Sequence, residues 1–186
     1  VTVESGVTSI GNNLLAGLSN VTTISIANTV VMISDNAFKF TNNFDTLELN
    51  SNGNFVYEDG TLYNAAKTSV YVHTTKDTSD YKLPSTVTKI CEGAFANTIY
   101  VSRLDLTNVK EIQSDAFRGC THFGNQYIPK TLEVIGENVF AGTHGGPIYY
   151  YSSCEAMVEY VKVFENEANF IEIDDVRPVI KEFAIN

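Results

Sequence analysis

The stretch Leu83–Phe117, LPSTVTKICEGAFANTIYVSRLDLTNVKEIQSDAF, decides the fold because one short formula occurs in it twice. Val87, Ile90, Ala94 and Phe95 recur in the same relative order as Val109, Ile112, Ala116 and Phe117, which gives V-x-x-I-x-x-x-A-F at a step of 22 residues. A fixed short period of this kind marks a solenoid, whose units cannot bury their apolar faces alone and must stack.

The formula continues in both directions. Val30, Ile33, Ala37 and Phe38 fit it, and Val7, Ile10, Leu14 and Leu15 make an atypical first unit with two leucines in place of Ala-Phe. Terminal repeats depart from consensus because one side has no neighbour to cover it. Ile135, Val139 and Phe140 complete a fifth unit. The polar residues Asn12, Asp35, Glu92, Ser114 and Glu137 just before the Ala-Phe slot predict short helical or 3₁₀ turns, with Asn, Asp and Ser capping free N–H groups. The small Ala permits close backbone approach. The Phe slots are expected to stack into a continuous aromatic spine, with Phe117 among its least replaceable members.

A second apolar pair follows the Phe slots nine and eleven residues on: Ile24 and Ile26, Leu47 and Leu49, Leu104 and Leu106. The pair weakens to Gln126 and Ile128, then to Tyr149 and Tyr151. A spacing of two puts both side chains on one face of a strand, so each unit contributes one strand to a parallel sheet along the solenoid axis. The residues between the paired positions then face outward. On this count Glu48, Arg103, Asp105, Asn125, Tyr127, Ile148 and Tyr150 form a candidate protein-binding face, on which Tyr and Arg are the residue types that most often dominate binding energy.

Ile90 follows Ile33 by 57 residues, so something is inserted between the second and third units, over about residues 51–82. Phe55-Val56-Tyr57, a turn at Asp59-Gly60, Thr61-Leu62-Tyr63, a second turn over Asn64 to Thr68 and Ser69 to His73 read as an antiparallel meander. It either projects from the solenoid or packs along one edge, with Thr74 to Asp80 as its return loop. After Tyr151 the texture changes. Ser153 can cap a helix carrying Met157, Val158, Val161 and Phe164 at helical spacing, and Phe170 to Ile173 should be a strand beside it. The expected division is a solenoid over residues 1–152, a helix–strand cap over 153–175 and a tail over 176–186. That tail is a docked edge strand or the start of a further domain.

Composition narrows the function. The 186 residues carry a net charge of −10, which repels nucleic acid. No apolar run approaches a membrane span, so no membrane insertion is expected within this segment. The first residue is Val1, from which a removed leader or upstream segment is expected. Cys91, Cys120 and Cys154 form no C-x-x-C pair and are expected to be buried apolar residues, with at least one free thiol. Cys120 and His122 are too close in sequence on one loop to suggest a nucleophile pair. Glu172, Asp174 and Asp175 lack the alternating ligand pattern of a calcium loop and read as a solvated acidic surface. No phosphate loop, zinc-protease or hydrolase motif is present. The expectation is a non-enzyme without metal or cofactor.

The formula, its 22–23 residue step and the strand pair behind it resemble the BspA-like (Treponema pallidum-type) leucine-rich repeat family over residues 7–151. The insert's DGTLYNAAKTSVYV is similar to a D-G-x-L-Y segment of that family, and Cys120 falls where the family often has Cys. The sequence departs from the pattern at Leu14-Leu15, Cys91 and Val139. The resemblance implies a β-rich α/β repeat solenoid, a right-handed superhelix with parallel strands, on a secreted or cell-surface protein. It further implies adhesion to host or neighbouring-cell proteins, with a structural spacer that displays another domain as the alternative.

Overall fold

The computed structural model describes residues 1–74 and 81–175. The return loop and the tail expected over 75–80 and 176–186 lie outside the described residues. In the amino-terminal part are β1 (Thr2–Val3), β2 (Ser9–Ile10), β3 (Thr23–Ile26), β4 (Met32–Ile33) and β5 (Thr46–Glu48). The insert supplies β6 (Phe55–Glu58), β7 (Thr61–Asn64) and β8 (Ser69–His73). Then come β9 (Lys89–Ile90), β10 (Glu111–Ile112), β11 (Gln126–Tyr127), β12 (Val134–Ile135), β13 (Ile148–Tyr151), α1 (Glu155–Phe164) and β14 (Phe170–Ile173).

The chain is a β-rich solenoid of stacked coils with little helix. The isoleucines that head each unit lie in parallel ladders, Ile10 beside Ile33 and Ile90 beside Ile112 beside Ile135. The last strand of the insert joins the second ladder, since β8 pairs in parallel with β9 and sets Val70 opposite Ile90. On its other edge β8 pairs antiparallel with β7, and β7 with β6, so one sheet runs in the order β12-β10-β9-β8-β7-β6. Asp59 and Gly60 turn the first hairpin with φ of 46° and 71°, as Asp-Gly between strand formers predicts.

The expected turns form but are not helical. Each carries left-handed residues, such as Asp115 and Gly119 at φ 59° and 73° or Asn138 and Gly142 at 55° and 77°, which break a helical run after a single turn. The side chains of Asp35, Glu92 and Ser114 bond across coils instead of capping. Ser114 Oγ, for example, accepts from the Glu137 backbone N–H at 3.1 Å. The backbone carries the stack, with Phe95 N–H donating to the Ala116 carbonyl and Phe117 N–H to that of Val139, at 2.9 and 3.1 Å.

Two expectations about the insert and the spine need correction together. The meander does not project; it joins the edge of the second ladder at β9 and, beyond what was expected, contributes side chains to two hydrophobic cores. Alternation separates Leu62 from Tyr63, and a bulge in the β7–β8 pairing, which sets Leu62 opposite Val72 but Tyr63 opposite Val70, separates Val72 from Val70, so Leu62 and Val72 enter the amino-terminal core with Ile24, Phe38 and Leu47. Their neighbours Tyr63 and Val70 enter the carboxyl-terminal core with Phe95, Phe117 and Phe140. The aromatic spine is consequently not continuous from Phe38. Phe95, Phe117 and Phe140 stack at 5.4 and 6.2 Å between centroids, but the further rings against Phe95 are those of His73 of the insert, at 5.1 Å, and Tyr81, at 5.8 Å. Phe123 adds a further ring 4.2 Å from Phe117.

The strand-pair sheet is also interrupted. β1, β3 and β5 form one parallel set and β11, β13 and β14 another, while the segment 101–106 between them forms no strand. Its backbone is satisfied by a side chain, as Gln126 accepts from Leu104 N–H at 2.9 Å and donates to the Leu104 carbonyl at 2.8 Å. A buried amide in an inward apolar slot thus does the work of a missing ladder pair. At the carboxyl end Cys154 holds the N-cap position of α1 without a side-chain capping bond. Ser153, expected to cap, donates to Asp175 at 2.9 Å, because Asp175 also accepts from the Ser153 backbone N–H at 3.1 Å and holds the side chain away from the helix. Met157 and Tyr160 are the buried helix residues, and β14 pairs in parallel with β13.

Candidate protein-binding face

On the carboxyl-terminal sheet, β11 sets Gln126 inward and Tyr127 outward, the order that alternation requires. One coil on, the parity is reversed. Ile148 and Tyr150, expected outward, are buried, and Tyr149 and Tyr151 take the outward positions. Gln126 stands opposite Ile148 and Tyr127 opposite Tyr149. The reason is the length of the preceding loop. Gln126 is nine residues beyond Phe117, whereas Ile148 is eight beyond Phe140, and a strand entered one residue early presents its other face. Glycine makes the shorter path possible, since a Cβ on Gly145 would collide with the His122 carbonyl and one on Gly124 with the Gly145–Gly146 peptide. The Gly145-Gly146-Pro147 run was the signal in the sequence that could have revealed this shift.

The outward tyrosines form a short column. The Tyr127 and Tyr149 rings stack at 4.7 Å with their planes 14° apart. The Arg103 guanidinium covers the Tyr127 ring at 5.3 Å, and Ile171 of β14, partly exposed, stands opposite Tyr149 in the ladder. Arg103 and Asp105 are exposed on the strandless segment, with Asp105 accepting from the Thr107 N–H at 3.0 Å, and Asn125 is exposed beside Tyr127. Glu48 is also exposed, but β5 belongs to the amino-terminal sheet. The structure therefore brings together Arg103, Tyr127 and, in place of Ile148 and Tyr150, Tyr149; Glu48 lies on a separate sheet.

A second feature was not legible in the sequence. Where the second unit meets the third, a shallow cleft of ≈ 560 Å³ opens between residues such as Met32, Asp35 and Asn36 on one wall and Glu92, Gln113 and Val134 on the other. Ion pairs cross the junction: Lys89 with Asp35, and Lys39 with both Glu92 and, at 2.8 Å, Asp115. Burial works against the charge of Asp35, but hydrogen bonds from Lys89 and Gln113 outweigh it and hold the carboxyl below its usual range. Burial likewise works against the Lys39 ammonium, and Asp115 and Glu92 reverse the sign, raising its pKa. These pairs join residues far apart in the chain, with no local motif to announce them.

The cysteines are all free and buried. Cys120 Sγ lies 2.9 Å from the Phe95 carbonyl and 3.1 Å from the Thr98 hydroxyl, and burial pushes its thiol up to about 12. His122 is exposed and bonded near Thr121, at 3.3 Å, so the loop pair forms no activated nucleophile.

The sequence matches the family described as "BspA type Leucine rich repeat region (6 copies)" over residues 1–74 and 67–171. The chain is a member of the BspA-type leucine-rich repeat family. No curated protein matches the sequence. Among solved structures, a leucine-rich repeat protein from Eubacterium ventriosum is similar with a TM-score of 0.68 at 21% identity, over 84% of this chain and 46% of that one. The pneumococcal vaccine antigen PcpA is similar with a TM-score of 0.58 at 16% identity, over 87% of this chain and 58% of that one. At these identities the likeness concerns the fold, and the chain spans about half the length of either structure. Among the described residues no helix is long and apolar enough to cross a membrane.

Proposed function

We propose that the chain is a protein-binding module of a secreted or cell-surface protein, which adheres to host or neighbouring-cell proteins through the face centred on Tyr127 and Tyr149. The observation that carries this reading is the stacked, outward Tyr127–Tyr149 pair under the Arg103 guanidinium. Two large amphipathic rings held rigid by the inward residues of their strands offer contact area at little entropic cost. Leucine-rich repeats commonly act as protein-interaction modules, and the similarity to a vaccine antigen supports the surface reading.

The test is adhesion of the purified protein to immobilised extracellular-matrix proteins and to cultured host cells. Tyr127→Ala combined with Tyr149→Ala should reduce adhesion at least about tenfold, the loss expected when two interface anchors are truncated. The thermal transition should stay within a few degrees. Undiminished adhesion by the double variant removes this face, and absence of adhesion by the unaltered protein favours a structural spacer.

A further inference from the structure

We infer that the occupant of the Tyr127–Tyr149 face is an extended polypeptide segment rich in lysine or arginine, a conclusion that rests on the binding face proposed above. Arg103 lies over the Tyr127 ring and Tyr149 stacks on it, so the Tyr127 ring is covered and turns its edge and hydroxyl outward. A sugar ring or a nucleobase recognised by stacking requires an open ring face. This column instead presents a ridge.

Tyr127, Tyr149 and Ile171 occupy successive ladder positions, so the ridge runs about 10 Å at the usual strand spacing. An extended chain advances about 3.3 Å per residue, with alternate side chains on one side, so three or four residues laid across the strands straddle the ridge. Their aliphatic portions pack against the ring edges and Ile171, and the hydroxyls meet main-chain carbonyls.

The protein carries −10 overall, Asp105 is exposed two residues from Arg103, and the exposed Asp174 and Asp175 follow Ile171 at the end of β14. That field draws a basic segment and repels an acidic one, and long Lys and Arg stems can lie along the ridge while their heads reach the flanking carboxylates.

A random dodecapeptide library displayed on phage tests the assignment. It is selected on the intact protein at physiological salt, and each binder is then compared on the intact protein and on the Tyr127→Ala/Tyr149→Ala variant. The variant's native fold is checked by its thermal transition, and singly substituted Tyr149→Ala replaces it if that transition is lost. Binders that depend on the tyrosines should be enriched about threefold or more in Lys and Arg over the library. Tyrosine-dependent binders that are neutral or acidic overturn the basic assignment and leave the face intact. Binders that all ignore the tyrosines overturn both, because attraction to net charge alone would then explain them.

Discussion

His73 packs its ring against Phe95, centroids 5.1 Å apart and planes tilted by 35°, in the position where the second unit's own phenylalanine was expected to stand. Its Nδ1 is 2.6 Å from the Thr61 hydroxyl, its ring also meets Tyr81, and its backbone joins the stack by donating to the Ala94 carbonyl at 2.8 Å. Its carbonyl accepts from the Asn42 side chain at 3.0 Å, so one residue ties the second unit, the insert and the third unit together.

Burial lowers the pKa of His73 from 6.5 to about 4. Because the folded value lies below the unfolded one, its stabilising effect is full above pH 6.5. It is lost progressively as pH falls from 6.5 through about 4. The loss from this residue should total about 3 kcal/mol. Urea unfolding between pH 7 and pH 4 measures it, and His73→Phe should flatten that part of the profile while keeping a ring in the column. An unchanged slope in the variant would assign the acid sensitivity elsewhere.

Removing the insert should destroy the fold and not merely trim it. Excising Asn54–Thr74 with a short glycine–serine bridge strips Phe55, Leu62 and Val72 from one core and Tyr63 and Val70 from the other. We expect no cooperative thermal transition and a large gain in binding of a hydrophobic dye. The single change Leu62→Ala should cost about 2–5 kcal/mol. A shortened protein that melts sharply would show that the two cores stand without their shared sheet.

Phe40 adopts φ 61° at the turn position where other coils place Gly17, Asn97, Gly119 and Gly142. A bulky residue there is strained by about 1–2 kcal/mol. Phe40→Gly and Phe40→Ala remove the same ring, but only glycine relieves the strain. The glycine variant should therefore be the more stable by about 1 kcal/mol, even with its extra unfolded-state entropy. Equal denaturation midpoints would mean that the turn relaxes to accommodate alanine.

Cys91, Cys120 and Cys154 should resist a thiol reagent in the native protein at pH 8 and react together on denaturation. Burial raises all three thiol pKa values and shields the sulfurs. Mass spectrometry after brief labelling reads the outcome, and a native modification mapped to Cys120 would contradict its place beneath Phe95.

The sequence by itself determined the repeat. Ile33, Ile90 and Ile112 announce their ladders, and Phe95, Phe117 and Phe140 their stack, because each coil repeats the same local requirement for apolar residues at fixed spacing. Asp59-Gly60 fixed its hairpin for the same reason, a local φ preference that neighbours in the chain supply. Only the tertiary structure decided that Leu62 and Tyr63 enter different cores, since both faces of that meander are apolar and nothing local says which coil each will meet. It alone paired Lys39 with Asp115, whose attraction acts through space and leaves no mark in sequence spacing. The binding face was half legible. Tyr127 followed from alternation, whereas Tyr149 replaced Tyr150 because a loop one residue shorter reverses the parity of the strand that follows, and parity is set by where the backbone arrives rather than by which residues it carries.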